Sequence, residues 1–168
     1  MIRAQEKKGW FWSIAPLFFC LIWAGGAFAR SATQVLVVAP QEFVPASVGV
    51  RYTLTSAGLG PLCMTQGAGY FLARVAVPVA ARIEGIEAVF DDVSDDAFGV
   101  VALFRTAETA RELLALTPMS LARPLREVSA VQLPQPEVVR EGFQYWLHLT
   151  LTGPGVCLRA VRVLYEAG

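Results

Sequence analysis

Few residues in this chain can do chemistry, and the densest group is acidic: Asp91, Asp92, Asp95 and Asp96. Calcium takes several hard oxygens, so carboxylates gathered on one exposed loop are a candidate metal cage. The spacing is not that of an EF-hand, which needs a central glycine and a distal glutamate. Adjacent acids also make a well-hydrated hairpin tip, and both readings stay open. Two such carboxylates can also flank a glycosidic bond, but no further sequence feature marks a cleft around them. His148 is the only histidine, so any serine triad would have to use it. The chain lacks a G-x-S-x-G elbow, H-E-x-x-H, a P-loop and a G-x-G-x-x-G after a strand. His148 therefore reads as a cross-strand packing partner or a surface residue.

The other two candidates are aromatic rings and sulfur. Tyr145 and Trp146 are adjacent, so in a regular strand they point to opposite faces. An outward Trp146, flanked by Gln144 and His148, has the flat apolar surface that stacks on a sugar or anchors a protein partner. The alternative is a Trp146 covered by a neighbouring loop, as large aromatics usually are. Cys63 and Cys157 form an even pair once Cys20 is set aside. In an oxidising compartment such a pair is expected to close a disulfide. Two distant cysteines and one histidine are too few for a zinc site.

The compartment follows from the first thirty residues. Arg3, Lys7 and Lys8 precede an apolar run, and Ala27-Phe28-Ala29 supplies a small-x-small cleavage site. That is the layout of a secretory signal peptide, cleaved after Ala29. The rival is an N-terminal membrane anchor, because residues 10–29 carry no charge and are long enough to cross a bilayer. Pro16 and Gly25-Gly26 weaken a continuous helix there. Beyond the leader every basic residue is arginine, scattered among slightly more numerous acids, and the whole chain is formally neutral. Such a balance offers no electrostatic footprint for nucleic acid.

Short β segments must position the candidates. Residues 35–38, 50–55, 70–77, 83–89 and 99–104 are apolar or β-branched runs, separated by Gly, Pro and Asp turn signals. Gly85 sits where a bulge or a close backbone approach is expected. In 143–152, Phe143, Tyr145, Leu147, Leu149 and Leu151 share one face; Gln144, Trp146, His148, Thr150 and Thr152 share the other. In 156–165, Val156 and Leu158 differ in parity from Val161, Val163 and Tyr165, so a bulge near Arg159-Ala160 would put both sets in the core. Gly58, Gly60, Gly67 and Gly69 read as turn residues around the disulfide. Residues 106–116 are ambiguous: Thr109 and Glu112 resemble a capping box, yet Pro118 would stop the helix early. A strand over 112–119 is the other reading.

The order of these features resembles that of small secreted bacterial proteins with a single β-sandwich-like domain. The matching residues are Gly60-Pro-Leu-Cys63-Met, Gly67-Ala-Gly-Tyr70-Phe-Leu-Ala-Arg-Val-Ala-Val-Pro78, Ile83-Glu-Gly85-Ile86 and Asp91-Asp92. Phe143-Gln-Tyr145-Trp146-Leu-His-Leu-Thr-Leu151 and Cys157-Leu-Arg-Ala-Val161-Arg162-Val163-Leu-Tyr165 complete it. The resemblance implies a β fold and favours the strand over 112–119, and it carries no activity. Where the pattern has Asp-Gly after Pro78, this chain has Val79-Ala80-Ala81.

The sequence thus predicts an all-β protein, an antiparallel, jelly-roll-like β-sandwich. Residues 1–29 form a signal helix, 30–168 a single domain, and Cys63–Cys157 the one disulfide. The expected role is binding or cell-envelope association without turnover, secreted or periplasmic, toward an unidentified protein or glycan. The alternative is a carbohydrate-binding module centred on Trp146, with Tyr145 and His148 beside it and calcium at Asp91, Asp92, Asp95 and Asp96. A hydrolase ranks third. No other cofactor is expected, no nucleic acid, and no membrane contact unless the leader is retained.

Overall fold

A computed structural model describes residues 32–55, 60–108, 110–122 and 126–168. The expected leader and its expected cleavage site, Gly58 and Thr109 lie outside the described residues. Among the described residues, eleven strands form two antiparallel sheets. One runs β3(Arg51–Leu54)-β4(Leu62–Gln66)-β11(Val156–Glu166)-β6(Arg82–Asp92)-β9(Glu127–Val138), with β1(Thr33–Val38) also paired to β11. The other runs β2(Val44–Pro45)-β5(Gly69–Val75)-β10(Gln144–Leu151)-β7(Gly99–Thr106)-β8(Arg111–Leu116). A 3-10 turn, Pro40–Glu42, separates β1 from β2. The expected antiparallel sandwich is the observed one.

Alternation decides which face of each strand meets the core. On β10, Tyr145, Leu147, Leu149 and Leu151 are buried while Trp146, His148 and Thr150 are only partly covered. On β5, Phe71, Ala73 and Val75 point inward against them. Facing layers come from β6 and β11: Ile83, Ile86, Phe90, Val156, Leu158, Val161 and Val163. Fully burying each such aliphatic or aromatic side chain is worth about 1.5–3 kcal/mol, so these alternating positions supply most of the drive to pair the sheets. The register shift between Leu158 and Ala160 is the bulge that brings both parities of β11 into this core.

Gly85 fulfils both of its expected roles. Pairing of β6 with β9 slips between Ile83 and Gly85. A Cβ at Gly85 would stand 2.6 Å from the Val131 carbonyl oxygen, so only glycine admits the neighbouring strand. In the turn after Pro78, Ala80 takes φ 70°. A Cβ in that left-handed region costs about 1–2 kcal/mol. The turn is held by Ala80 N–H donating to Val139 O and Val139 N–H donating to Ala81 O, both at 2.8 Å.

The ambiguous segment is a strand, β8, but it ends at Leu116 and not at residue 119. Pro118 has no N–H to donate, and hydroxyls take over the pairing with β7. Thr117 Oγ1 accepts from Val101 N–H at 3.0 Å, and Ser120 Oγ accepts from Gly99 N–H at 2.7 Å. Ser120 Oγ in turn donates to the buried Asp92 carboxylate. Cys63 lies in β4, paired in register with Cys157 on β11, and the two form the disulfide across adjacent strands.

Candidate functional site

One face of the five-stranded sheet packs on the core; the other carries rings and arginines. The registers place Arg74, Trp146, Phe104 and Leu113 in one row across β5, β10, β7 and β8. The next row holds Val44, Leu72, His148, Ala102 and Leu116. Tyr70 and Thr150 follow in a third. Because every second residue faces outward, this composition is set by the same period that fills the core.

Contacts among these side chains fix their orientation. The Tyr70 ring lies 5.6 Å and the Phe104 ring 6.2 Å from the His148 ring, each tilted by about 45°. The Arg111 guanidinium stacks over Phe104 at 3.7 Å from its centroid, and one of its amino groups reaches His148 Nδ1 at 3.5 Å. A depression of about 170 Å³ lies on this face, lined by Leu72, Thr106, Arg111 and Trp146. Around it Tyr70, Leu113 and Leu116 stand about half exposed, at 46%, 51% and 52%. Aromatic, aliphatic and guanidinium surface on a solvent-facing sheet suits a flat partner with an apolar face and polar edges.

Tyr145 is on the opposite side of its strand from this surface. It is buried, and its hydroxyl donates to Glu137 Oε1 at 2.8 Å. Burial, then the bond to Glu137, push the phenol up to about 12. Glu137 also accepts from Arg105, which is paired to Glu112 as well. Tyr145 thus closes one end of the core, and of the candidate site residues only Trp146 and His148 share the outer face.

The four aspartates are not brought together. Asp91 and Asp92 are consecutive on β6 and point to opposite sides. Asp91 is paired with Arg159 and, at 3.8 Å, with Arg126. Asp92 is buried, accepting from Ser120 and from Ser94 N–H at 3.0 Å. Asp95 and Asp96 are exposed in the turn beyond. Among the described residues no three His, Cys, Asp or Glu side chains gather where a metal ion could sit. Of the two readings of these acids, a shared calcium cage is disfavoured by the divergence of adjacent strand residues.

Two larger grooves lie elsewhere. One, about 390 Å³, is at the end of β5 and β10; the other, about 420 Å³, runs between the edges of β8 and β9. The second is lined by Leu133-Pro134-Gln135-Pro136 and contains Glu137, whose carboxylate is already engaged by Arg105 and Tyr145. The outer sheet face presents more rings than either groove.

No protein-family model matches the chain, and no curated protein matches its sequence. Solved structures share its fold. A family 6 carbohydrate-binding module, studied by sub-site dissection with crystallography and calorimetry, superposes with a TM-score of 0.52 at 11% identity. It covers 79% of this chain and 94% of its own. CsCBM6-3 from Clostridium stercorarium, in complex with cellobiose, matches with the same score and coverage at 8% identity. At such identities the likeness defines a class of architecture, the β-sandwich of these modules, and nothing finer.

His148 offers a test of the face itself. Burial, and secondarily the Arg111 charge, hold its pKa below the usual 6.5. The folded protein therefore takes up this proton less readily than the unfolded chain. His148 costs nothing above its unfolded pKa, and stability is lost as pH falls below about 6.5. Between pH 7 and pH 5 the melting temperature of the protein should fall further than that of His148→Gln. Equal falls would show that the imidazole is not held neutral on this surface.

Proposed function

We propose that the protein is an exported, non-catalytic glycan-binding module whose ligand lies on the outer face of the five-stranded sheet. The observation carrying this is the aromatic surface of Trp146, Tyr70 and Phe104 around His148, on a solvent-facing sheet where isolated apolar residues would suffice. Sugar rings present axial C–H groups that stack on such aromatics while their hydroxyls bond to polar edges. The shared architecture with carbohydrate-binding modules supports the reading. It does not extend to residue identities.

Sugar stacked on a half-buried indole loses its chief contact when the ring is removed. Affinity electrophoresis through a panel of soluble polysaccharides should retard the protein on at least one polymer. Trp146→Ala should weaken that binding about thirtyfold, the effect of a 2 kcal/mol anchor, with its circular dichroism spectrum unchanged. Absence of retardation on every polymer, or full retention of binding by the folded variant, would overturn the proposal.

Action outside the cytosol is part of the same reading. It rests on the leader pattern of residues 1–29 and on the Cys63–Cys157 bond, which persists in oxidising compartments. The product recovered from outside the cytoplasm should begin at Arg30 and contain no free thiol. A product still starting at Met1, with reactive Cys63 and Cys157, would contradict it.

A further inference from the structure

The charge on the aromatic face has one sign. No outward-facing position of β5, β10, β7 or β8 is an acid, whereas two are arginines, Arg74 and Arg111. Elsewhere four arginines are paired with carboxylates: Arg105 with Glu112 and Glu137, Arg126 and Arg159 with Asp91, Arg162 with Glu87. Arg51, Arg82 and Arg140 have no such partner among the described residues. Arg111 is oriented without a carboxylate, by the Phe104 ring at 3.7 Å and by His148. Arg74 is exposed, stands directly across from Trp146, and makes no hydrogen bond or ion pair among the described residues. Glu108, in the hairpin joining β7 and β8, lies beyond the face.

We propose, resting on the glycan-binding reading above, that the ligand of this face is an acidic polysaccharide whose anionic groups pair with Arg74 and Arg111 on either side of Trp146. The two arginines sit on strands three positions apart, about 14 Å of sheet, with the aromatic surface between them. A chain stacked on Trp146 and crossing the strands can therefore reach both guanidinium groups. Guanidinium presents paired N–H donors that fit the two oxygens of a carboxylate or sulfate, and such bonds are stronger than those to neutral hydroxyls. Stacking on Phe104 restricts Arg111 before the ligand arrives, so less side-chain freedom is lost on binding.

Isothermal titration of the purified protein with matched polymers separates the possibilities. Polygalacturonate is compared with its methyl ester, and a sulfated galactan with the same galactan after desulfation. The acidic member of at least one pair should bind more tightly, and its affinity should fall several-fold between about 0.01 and 1 M salt. Arg74→Gln should weaken it about tenfold or more, with Arg74→Lys recovering part of the loss. Arg111→Gln should act likewise. Should its lost stack on Phe104 disturb folding, Arg74→Gln, whose side chain supports nothing else, carries the test. Preference for the carboxylated or the sulfated pair identifies the anion. If the neutral polymers bind as tightly and both variants are unaffected, the acidic ligand is refuted while glycan binding stands. If neither member of either pair binds, the acidic ligand is refuted, and glycan binding stands or falls with the polysaccharide panel above.

Discussion

The two-residue period of β10 is the constraint on which the rest depends. β10 is the middle strand of its sheet, hydrogen-bonded along most of its length to β5 on one side and β7 on the other. Its inward set, Tyr145, Leu147, Leu149 and Leu151, is almost fully buried. A slip of one residue would send these to solvent and drive Trp146 and His148 into the core. Each misplaced leucine would forfeit about 1.5–3 kcal/mol, so the register is strongly specified. The outer face is fixed as a consequence: once the core is satisfied, Trp146 has nowhere to be but beside Arg74 and Phe104.

A second strand plays the matching role in the other sheet. β11 pairs with β1, β4 and β6, and its bulge at Leu158/Ala160 lets both halves contribute to the core. The disulfide fastens β4 to it, closing a loop of 94 residues. The chain-entropy model gives such a closure up to about 4–5 kcal/mol. β4 and β11 share only two register pairs, Cys157 with Cys63 and Leu158 with Leu62. The covalent bond thus reinforces a short pairing that carries β3 at the sheet's edge. Asp91 lies in the same cross-strand row, where Arg159 and Arg126 neutralise it on a face that offers no aromatic surface.

Much of this was legible in the sequence because alternation is a local signal. Tyr145 and Trp146 were expected on opposite faces, and Gly85 and the Arg159-Ala160 bulge were foreseen from pattern alone. What could not be read was which strands become neighbours. Tyr70, Phe104 and Arg111 complete the surface around Trp146, yet they lie on three other strands with no sequence mark joining them. Leu72 and Arg74 alternated visibly with the core residues of β5, so their outward direction was accessible; their partner strand was not. β9 was missed because Pro134 and Pro136 argue against a strand, and it is an edge strand, where prolines are tolerated. The choice between the two readings of the aspartates was not legible either, because it turns on Asp91 and Asp92 sending their side chains to opposite sides of a strand.

The central claim is that a glycan occupies the outer face of the five-stranded sheet. Backbone chemical-shift mapping of the isotopically labelled protein, titrated with an acidic oligosaccharide, tests it most directly. The account predicts perturbations at Tyr70, Leu72, Arg74, Phe104, Trp146 and His148, with the six-stranded sheet unmoved. Perturbations confined to the Asp95-Asp96 turn, or to the groove between β8 and β9, would contradict it.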